Sequence, residues 1–222
     1  MRLILIRHGE TPANVQGSLD TTLPGPGLTD RGVEQAEAIP AALHGEQIDG
    51  LWTSRALRTK QTIAPLAEHL GIEPQALPGT HEIQAGELEK RTDPDSIHAY
   101  LKLLGDWAEG DLDQRVPGGE TGHEVLDRYD DSVARIEASG ARTAVMVSHG
   151  AVIRFWTYQR ADNIKDTDLA VEPLPNTGIV VLEGDSDEGW SVVSWLGTAL
   201  AGTGPDDPDP YDGPTGHPFD ED

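Results

Sequence analysis

The sequence predicts an α/β fold, a three-layer α/β/α sandwich with a mostly parallel, mixed central sheet and helices on both faces. Three observations lead there. Short apolar runs of strand length, LILI at 3–6, LW within DGLWTS at 49–54 and AVMV at 144–147, each pass through a turn into a segment with helical spacing. Strands that alternate with helices need crossover connections, and these produce a parallel sheet covered on both sides. Late in the chain, TGIVVLE and GWSVVSWL flank GDSDEG, a hairpin pattern that makes one edge antiparallel.

In chain order, Leu3 to Ile6 carry no polar residue and suit a strand buried on both faces, yet the run ends on Arg7 and His8. A loop holding PGPG at 24–27 extends to Leu28, and Thr29 stands where a helix N-cap belongs. Val33, Ala36, Pro40 and Leu43 follow at helical spacing, with Pro40 predicting a kink. DGLWTS reads as the second strand; Ser54 is expected to cap a helix reaching Leu70, kinked at Pro65. Residues 82–119 are less regular and contain one amphipathic segment, SIHAYLKLLGDWAEG, in which Ile97, Leu101, Leu104 and Ala108 share a face. This segment is expected to form a small helical cap at about 84–118, with Leu101, Leu104 and Trp107 in the core rather than against a ligand. PGGET opens a helix over about 121–138, RTAVMVSHG supplies the third strong strand, and AVIRFWTYQ is helical behind it.

One domain over residues 1–200 fits the length of 222. Residues 201–222 form a separate acidic, Pro/Gly-rich tail. From Pro205 it has seven acidic residues and no lysine or arginine, and proline with like charge opposes a packed core. Over the whole chain 39 acidic against 16 basic residues give a net charge of −23, so no nucleic acid and no anionic membrane is expected as a partner. A small anion is still admissible, because charges beyond a Debye length of roughly 8 Å are screened while a pocket arginine is not. No apolar run reaches the roughly 18–20 residues of a membrane span. Charge returns at Arg7, too soon for a signal-peptide core of about 7–15 residues, so a cytoplasmic location is expected. The chain has no cysteine, which excludes disulfides and thiolate chemistry.

The chemistry gathers at strand ends. The first strand runs into Arg7-His8-Gly9 and the later one into Ser148-His149-Gly150. In open α/β sheets the carboxyl ends of parallel strands line the ligand crevice, so both imidazoles can share one site. The glycine after each histidine permits a tight turn and close approach of backbone to a ligand. After the second strand, TSRALRTKQT brings Arg55 and Arg58 to the first turn of a helix, where free N–H groups and arginine together favour a phosphate.

These residues resemble the signature of the histidine phosphatase superfamily, the phosphoglycerate mutase-like proteins. RHGETPAN matches its opening and supplies Arg7, His8 and Asn14; TSRALRTKQT matches the second element and aligns Arg58 with the family's phosphate-binding arginine. HEIQAGELEK is similar to the element carrying the catalytic glutamate and assigns Glu82. PGGET around Glu120 and VSHGAVIR around His149 complete the order, from residue 2 to about 196. The resemblance implies a phosphoglycerate mutase-like fold and a covalent mechanism. His8 attacks phosphorus and becomes phosphohistidine; Arg7, Arg58 and His149 hold the phosphoryl oxygens, with Asn14 and Gly150 at the substrate. Glu82 serves as general acid and then general base. No metal and no cofactor is implied. The expected partner is a small phosphorylated metabolite, bound by a monomer or homodimer.

Mutases of this family carry an Arg-His-Tyr-Gly stretch and a further arginine pair that Gln84 to Pro117 lack, leaving Lys90, Arg91, Lys102 and Arg115 as the only spare cations there. Hydrolysis of a phosphate monoester is therefore the first reading, mutase-type phosphoryl transfer the second, and a silent phospho-ligand binding module the third. A metal site from His8, His81, His149 and Glu82 has no HxH or HExxH spacing behind it. His44, His69, His81, His98, His123 and His217 are expected at the surface. Ala85, Leu88 and Lys90 replace residues usual in the family after the glutamate, which leaves the leaving group undefined.

Overall fold

A computed structural model describes residues 1–165 and 174–196. In it six strands form one sheet: β1 (Arg2–Arg7), β2 (Gly50–Thr53), β3 (Gln75–Ala76), β4 (Thr143–Ser148), β5 (Ile179–Asp185) and β6 (Gly189–Leu196). Across the sheet the order is β3-β2-β4-β1-β5-β6. The first four strands are mutually parallel, whereas β5 lies antiparallel beside β1 and forms a hairpin with β6. The helices are α1 (Pro12–Val15), α2 (Asp30–Ala42), α3 (Leu57–Leu70), α4 (Pro94–Ala108), α5 (Gly122–Ala138) and α6 (Gly150–Arg160).

Side chains alternate across a strand, so an uninterrupted apolar run must feed two cores. Leu3 and Leu5 of β1, with Ala144 and Met146 of β4, face the layer of α4, α5 and α6. Ile4 and Ile6, with Val145 and Val147, face Ile39, Leu43, Ile63 and Leu66 of the α2–α3 layer. The expected three layers are present, and the LILI run is buried on both faces.

Thr29 caps α2 by accepting from the Gly32 N–H, as its position predicts. The helix phase differs from expectation: Val33 is 43% exposed, and the inward stripe is Gln35, Ala36 and Ile39, continued by Leu43. Pro40 falls near the helix end and interrupts nothing further; α3 likewise runs through Pro65. The segment expected as a cap contains α4, whose Tyr100, Leu103, Leu104 and Trp107 are buried in the same core as α6, while Leu101 is buried outside that cluster. Trp107 lies 5.0 Å, ring to ring, from Phe155 of α6, so α4 is part of the second helical layer. The two-residue edge strand β3 and 3-10 turns at Pro78–Thr80 and Gly86–Leu88 were not expected. The predicted tail at 201–222, with His217, lies outside the described residues.

Candidate active site

Parallel register delivers three polar residues to one rim. Arg7 pairs with Ser148, and Thr53 with Val147, so His8, Ser54 and His149 each emerge at the same level beyond adjacent strands. Backbone bonds continue the ladder past the strands, from His8 N–H to the Ser148 carbonyl (3.1 Å) and from Ser54 N–H to the Val147 carbonyl (3.1 Å). The two imidazoles meet edge to face with centroids 5.3 Å apart. Gly9 is needed for a reason internal to the protein: a Cβ there would stand 2.7 Å from the Gly32 carbonyl oxygen, where α2 begins.

His8 is 3% exposed, and its Nδ1 lies 2.8 Å from the Gly9 carbonyl oxygen. A carbonyl only accepts, so Nδ1 carries the proton and Nε2 keeps its lone pair. Burial pushes the imidazole pKa well below its usual value, and the charges of Arg58 and then Arg7 push it further. The ring is therefore neutral at physiological pH, with the lone pair of Nε2 free. Burial is the larger cause and the arginine charges the smaller.

Arg58, in the first turn of α3, is 2% exposed. Its Nη2 donates to His149 Nδ1 (3.1 Å), which forces the proton of the neutral His149 ring onto Nε2, and Nε2–H donates to Ser54 Oγ at 2.9 Å. Burial and the same arginine hold His149 well below the usual histidine pKa. Ser54 therefore does not cap α3, whose N-cap is Ala56 without a side-chain bond; it fixes the tautomer of His149 instead. The other guanidinium nitrogen, Nη1, is buried with no hydrogen-bond partner among the described residues. It sits under Gly25, where φ is +67° and a Cβ would approach Nη1 to 2.5 Å. A buried cationic donor without a partner is costly unless a ligand completes it.

Glu82 is 2% exposed. Its Oε1 accepts from the N–H groups of Ile83 and Val152, each at 2.9 Å, and its Oε2 accepts from Ala151 N–H at 3.1 Å. The N-cap of α6, His149, makes no side-chain cap, so the carboxyl of Glu82 satisfies the helix's first free amides. Burial raises its pKa, and the three amides and Arg58 oppose the rise without cancelling it. The group sits nearer to protonation than an ordinary glutamate.

His8, Asn14, Arg58 and Glu82 line one small cavity together with Thr11 and Asp20. Asn14 Oδ1 accepts from Thr11 N–H in a capping box around α1, which directs its amide nitrogen away from that bond. Arg7 is fully buried beside His8 and donates to the Leu174 carbonyl at 2.8 Å; it influences the site through charge and does not line this cavity. Gly150 is the first residue of α6 and is buried. Arg55 lies outside the α3 turn and is exposed, lining a wider cleft of about 570 Å³ with Thr21, Thr22, His81, Gln84 and Glu89. Thr21 and Gln84 of that cleft are close in sequence to Asp20 and Glu82 of the inner cavity.

The family model for the histidine phosphatase superfamily (branch 1) matches residues 3–197. The chain belongs to this superfamily. A PE-PGRS family protein of Mycobacterium tuberculosis is 39% identical over 209 residues, covering 86% of this chain and 36% of that protein. The chain thus spans about a third of that relative's length. An adenosylcobalamin/alpha-ribazole phosphatase of Salmonella typhimurium is 30% identical, covering 69% of this chain and 76% of the relative. A mycobacterial glucosyl-3-phosphoglycerate phosphatase, solved with VO3, superposes with a TM-score of 0.74 at 25% identity, over 88% of this chain and 98% of that one.

Two residues beside this site carry contacts that the sequence does not announce. Ser54 lies within the TSRALRTKQT element but holds His149 instead of capping a helix, and Asn176 donates to the His8 carbonyl at 2.8 Å. Their partners are distant in sequence and no local pattern marks them. His44, His69, His98 and His123 are exposed as expected, but His81 is half-buried, lines the cleft and stands 3.7 Å from Glu120. Its place next to Glu82 in the sequence was the available signal. Among the described residues, no helix is long and apolar enough to cross a membrane.

Proposed function

We propose that the protein is a metal-independent phosphatase that hydrolyses a small phosphate monoester through a phosphohistidine on His8, with Glu82 as general acid and base. The observation that carries this reading is the tautomer of His8: with Nδ1–H held by the Gly9 carbonyl, Nε2 is left as the nucleophilic lone pair in a cavity shared with Arg58 and Glu82. In the first half-reaction Nε2 forms a bond to phosphorus, the bond to the leaving oxygen breaks, and that oxygen takes the proton of Glu82. In the second, water gives a proton to the Glu82 carboxylate, its oxygen attacks phosphorus, the N–P bond breaks, and inorganic phosphate leaves. Arg58, with its unpartnered Nη1, meets the phosphoryl oxygens; Asn14 and the Gly150 turn complete the binding, and Arg7 adds charge. His149 acts through Arg58, which it orients, its two ring nitrogens being engaged by Arg58 and Ser54.

Hydrolysis is favoured over mutase transfer by where the spare cations go. Arg91 pairs with Asp93 (2.7 Å), Lys102 with Asp106 (2.7 Å) and Arg115 with Glu124 (3.3 Å), and neither these nor Lys90 line the cleft. A bisphosphate intermediate held through a second half-reaction would need cations there. The cleft offers Arg55 and hydroxyl, amide, imidazole and carboxylate groups beside Leu23 and Pro78, which suits a leaving group with both polar and apolar faces. Two relatives named as phosphatases, of alpha-ribazole and of glucosyl-3-phosphoglycerate, support the same class. The test is phosphate release from p-nitrophenyl phosphate by the wild type and His8→Ala, each with and without a chelator, followed by a screen of phosphorylated metabolites. Turnover that His8→Ala abolishes and chelator leaves unchanged supports the reading. Loss with chelator, or full turnover by His8→Ala, refutes it, and interconversion of monophosphoglycerates fed with 2,3-bisphosphoglycerate moves the assignment to a mutase.

A further inference from the structure

Arg128, midway along α5, makes an unusual set of bonds. Its Nε donates to Glu120 Oε1 (2.7 Å) and its Nη2 to Glu120 Oε2 (2.9 Å), a two-pronged guanidinium–carboxylate pair. Its Nη1 donates to the carbonyls of Gly79 (2.6 Å) and His81 (2.8 Å), and Nη2 also reaches the Glu82 carbonyl (3.3 Å). A guanidinium has five N–H donors, and here all five are spent, three of them on the main chain of the short segment that carries Glu82. Glu120 extends the grip to the far side by accepting the Gln84 N–H at 3.3 Å. Both side chains are only 14% and 13% exposed. Burial disfavours ionised Glu120, but the His81 and Arg128 contacts outweigh it and hold the carboxylate pKa at about 2. The fork therefore persists across the neutral range.

The other anchors of the Glu82 segment are single bonds, from Ser148 Oγ to the Thr80 carbonyl (2.8 Å) and from Tyr100 OH to the Ile83 carbonyl (2.9 Å), together with the buried Ile83 side chain. The segment follows a single 3-10 turn and lies in irregular backbone, while the Glu82 carboxyl must meet the first amides of α6 in one orientation. Gly79 is pressed so closely on α5 that a Cβ there would overlap the Arg128 carbonyl oxygen. We propose that the Arg128–Glu120 pair positions the general acid, locking the main chain on both sides of Glu82 so that its carboxyl is delivered to the leaving oxygen. Neither residue lines the small cavity, and both act through Glu82. The inference rests on the reading of Glu82 as general acid and of His8 as nucleophile.

An acid matters most for a poor leaving group, so the readout is the dependence of the phosphorylation step on the leaving-group pKa, measured by rapid quench with substituted phenyl phosphates and an alkyl phosphate. The wild type should show a shallow slope and Glu82→Ala a steep one. Arg128→Ala should steepen the slope, losing about 30- to 100-fold on the alkyl phosphate and about threefold or less on p-nitrophenyl phosphate, since misplacing an acid by about 1 Å can cost on that order. Arg128→Lys, which keeps the charge without the fork, and Glu120→Gln should fall between, and they decide the matter if Arg128→Ala does not fold. Slopes equal to wild type in these variants, or a uniform loss across the series, overturn the inference. His8→Ala separates the two levels: silent His8→Ala with wild-type slopes in the Arg128 and Glu120 variants removes this inference alone, whereas active His8→Ala removes the reading beneath it.

Discussion

Ser54→Ala deletes one oxygen and should disable a chain of three residues. Ser54 Oγ accepts from His149 Nε2–H at 2.9 Å and from Ala56 N–H at 3.2 Å, and Ser54 and His149 are both fully buried. Removing the oxygen strands two donors at a fully buried place. His149 has no escape through its other tautomer, because a proton on Nδ1 would face the Nη2 donor of Arg58, 3.1 Å away. An unsatisfied buried donor costs about 1–3 kcal/mol, and the longer Ala56 bond is the weaker of the two, so the loss in stability should be about 2–4 kcal/mol. Function should suffer in parallel, since the His149 ring that accepts from Arg58 loses the anchor on its Nε2 side and aims the guanidinium less firmly. Removing a donor to a developing oxyanion costs roughly 10²–10³ in rate, and misdirecting one should cost less, about tenfold in kcat/KM. Urea unfolding and steady-state hydrolysis of p-nitrophenyl phosphate measure the two effects. Wild-type unfolding midpoint with wild-type kcat/KM in Ser54→Ala would refute the tautomer argument.

Other consequences follow from the same buried groups. His8 and His149 are held well below 6.5 in the folded chain, so below that pH the unfolded chain binds more protons and the native state loses stability, by up to about 1.4 kcal/mol per pH unit for each ring. Glu82, raised above 4.5, acts with the opposite sign, contributing stability at low pH that is lost as pH rises through its folded value; two rings outweigh it, and the urea midpoint should be lower at pH 5.5 than at pH 7.5. An equal or higher midpoint at pH 5.5 would contradict the burial argument. Gly79→Ala should destabilise by about 3 kcal/mol or more, because its Cβ meets the Arg128 main chain and, at 2.5 Å, Ser132 Oγ; thermal melts check it. Gly25→Ala, at φ +67° and against Arg58 Nη1, should weaken phosphate binding, read as a higher inhibition constant for inorganic phosphate.

What could be read from the chain alone divides along physical lines. The LILI run and the AVMV run are continuous because both faces of β1 and β4 are covered, and that burial writes itself into consecutive residues. Strand ends in parallel order then place His8 and His149 together without any further information. The phase of α2 is not legible in the sequence because Val33 is apolar yet exposed and Pro40 only partly buried, where apolarity carries no penalty large enough to exclude them. Tautomers and clamps were invisible for another reason. Ser54 and His149 are 95 residues apart, Arg58 and His149 are 91 apart, and Arg128 reaches Glu82 across 46; each contact is a product of sheet order, and none leaves a local pattern. His81 looks like a surface residue in the sequence, and its proximity to Glu120 depends on the turn at Pro78–Thr80.

The central claim is that Nε2 of His8 takes up the phosphoryl group during turnover. Mixing the protein with a 32P-labelled aryl phosphate, stopping the reaction in alkaline denaturant within the first turnover and mapping the label by mass spectrometry addresses it directly. The account predicts a phosphopeptide containing His8, stable to base, lost in acid, absent from His8→Ala and longer-lived in Glu82→Gln. Turnover with no label on His8, or label carried by another residue, would contradict it.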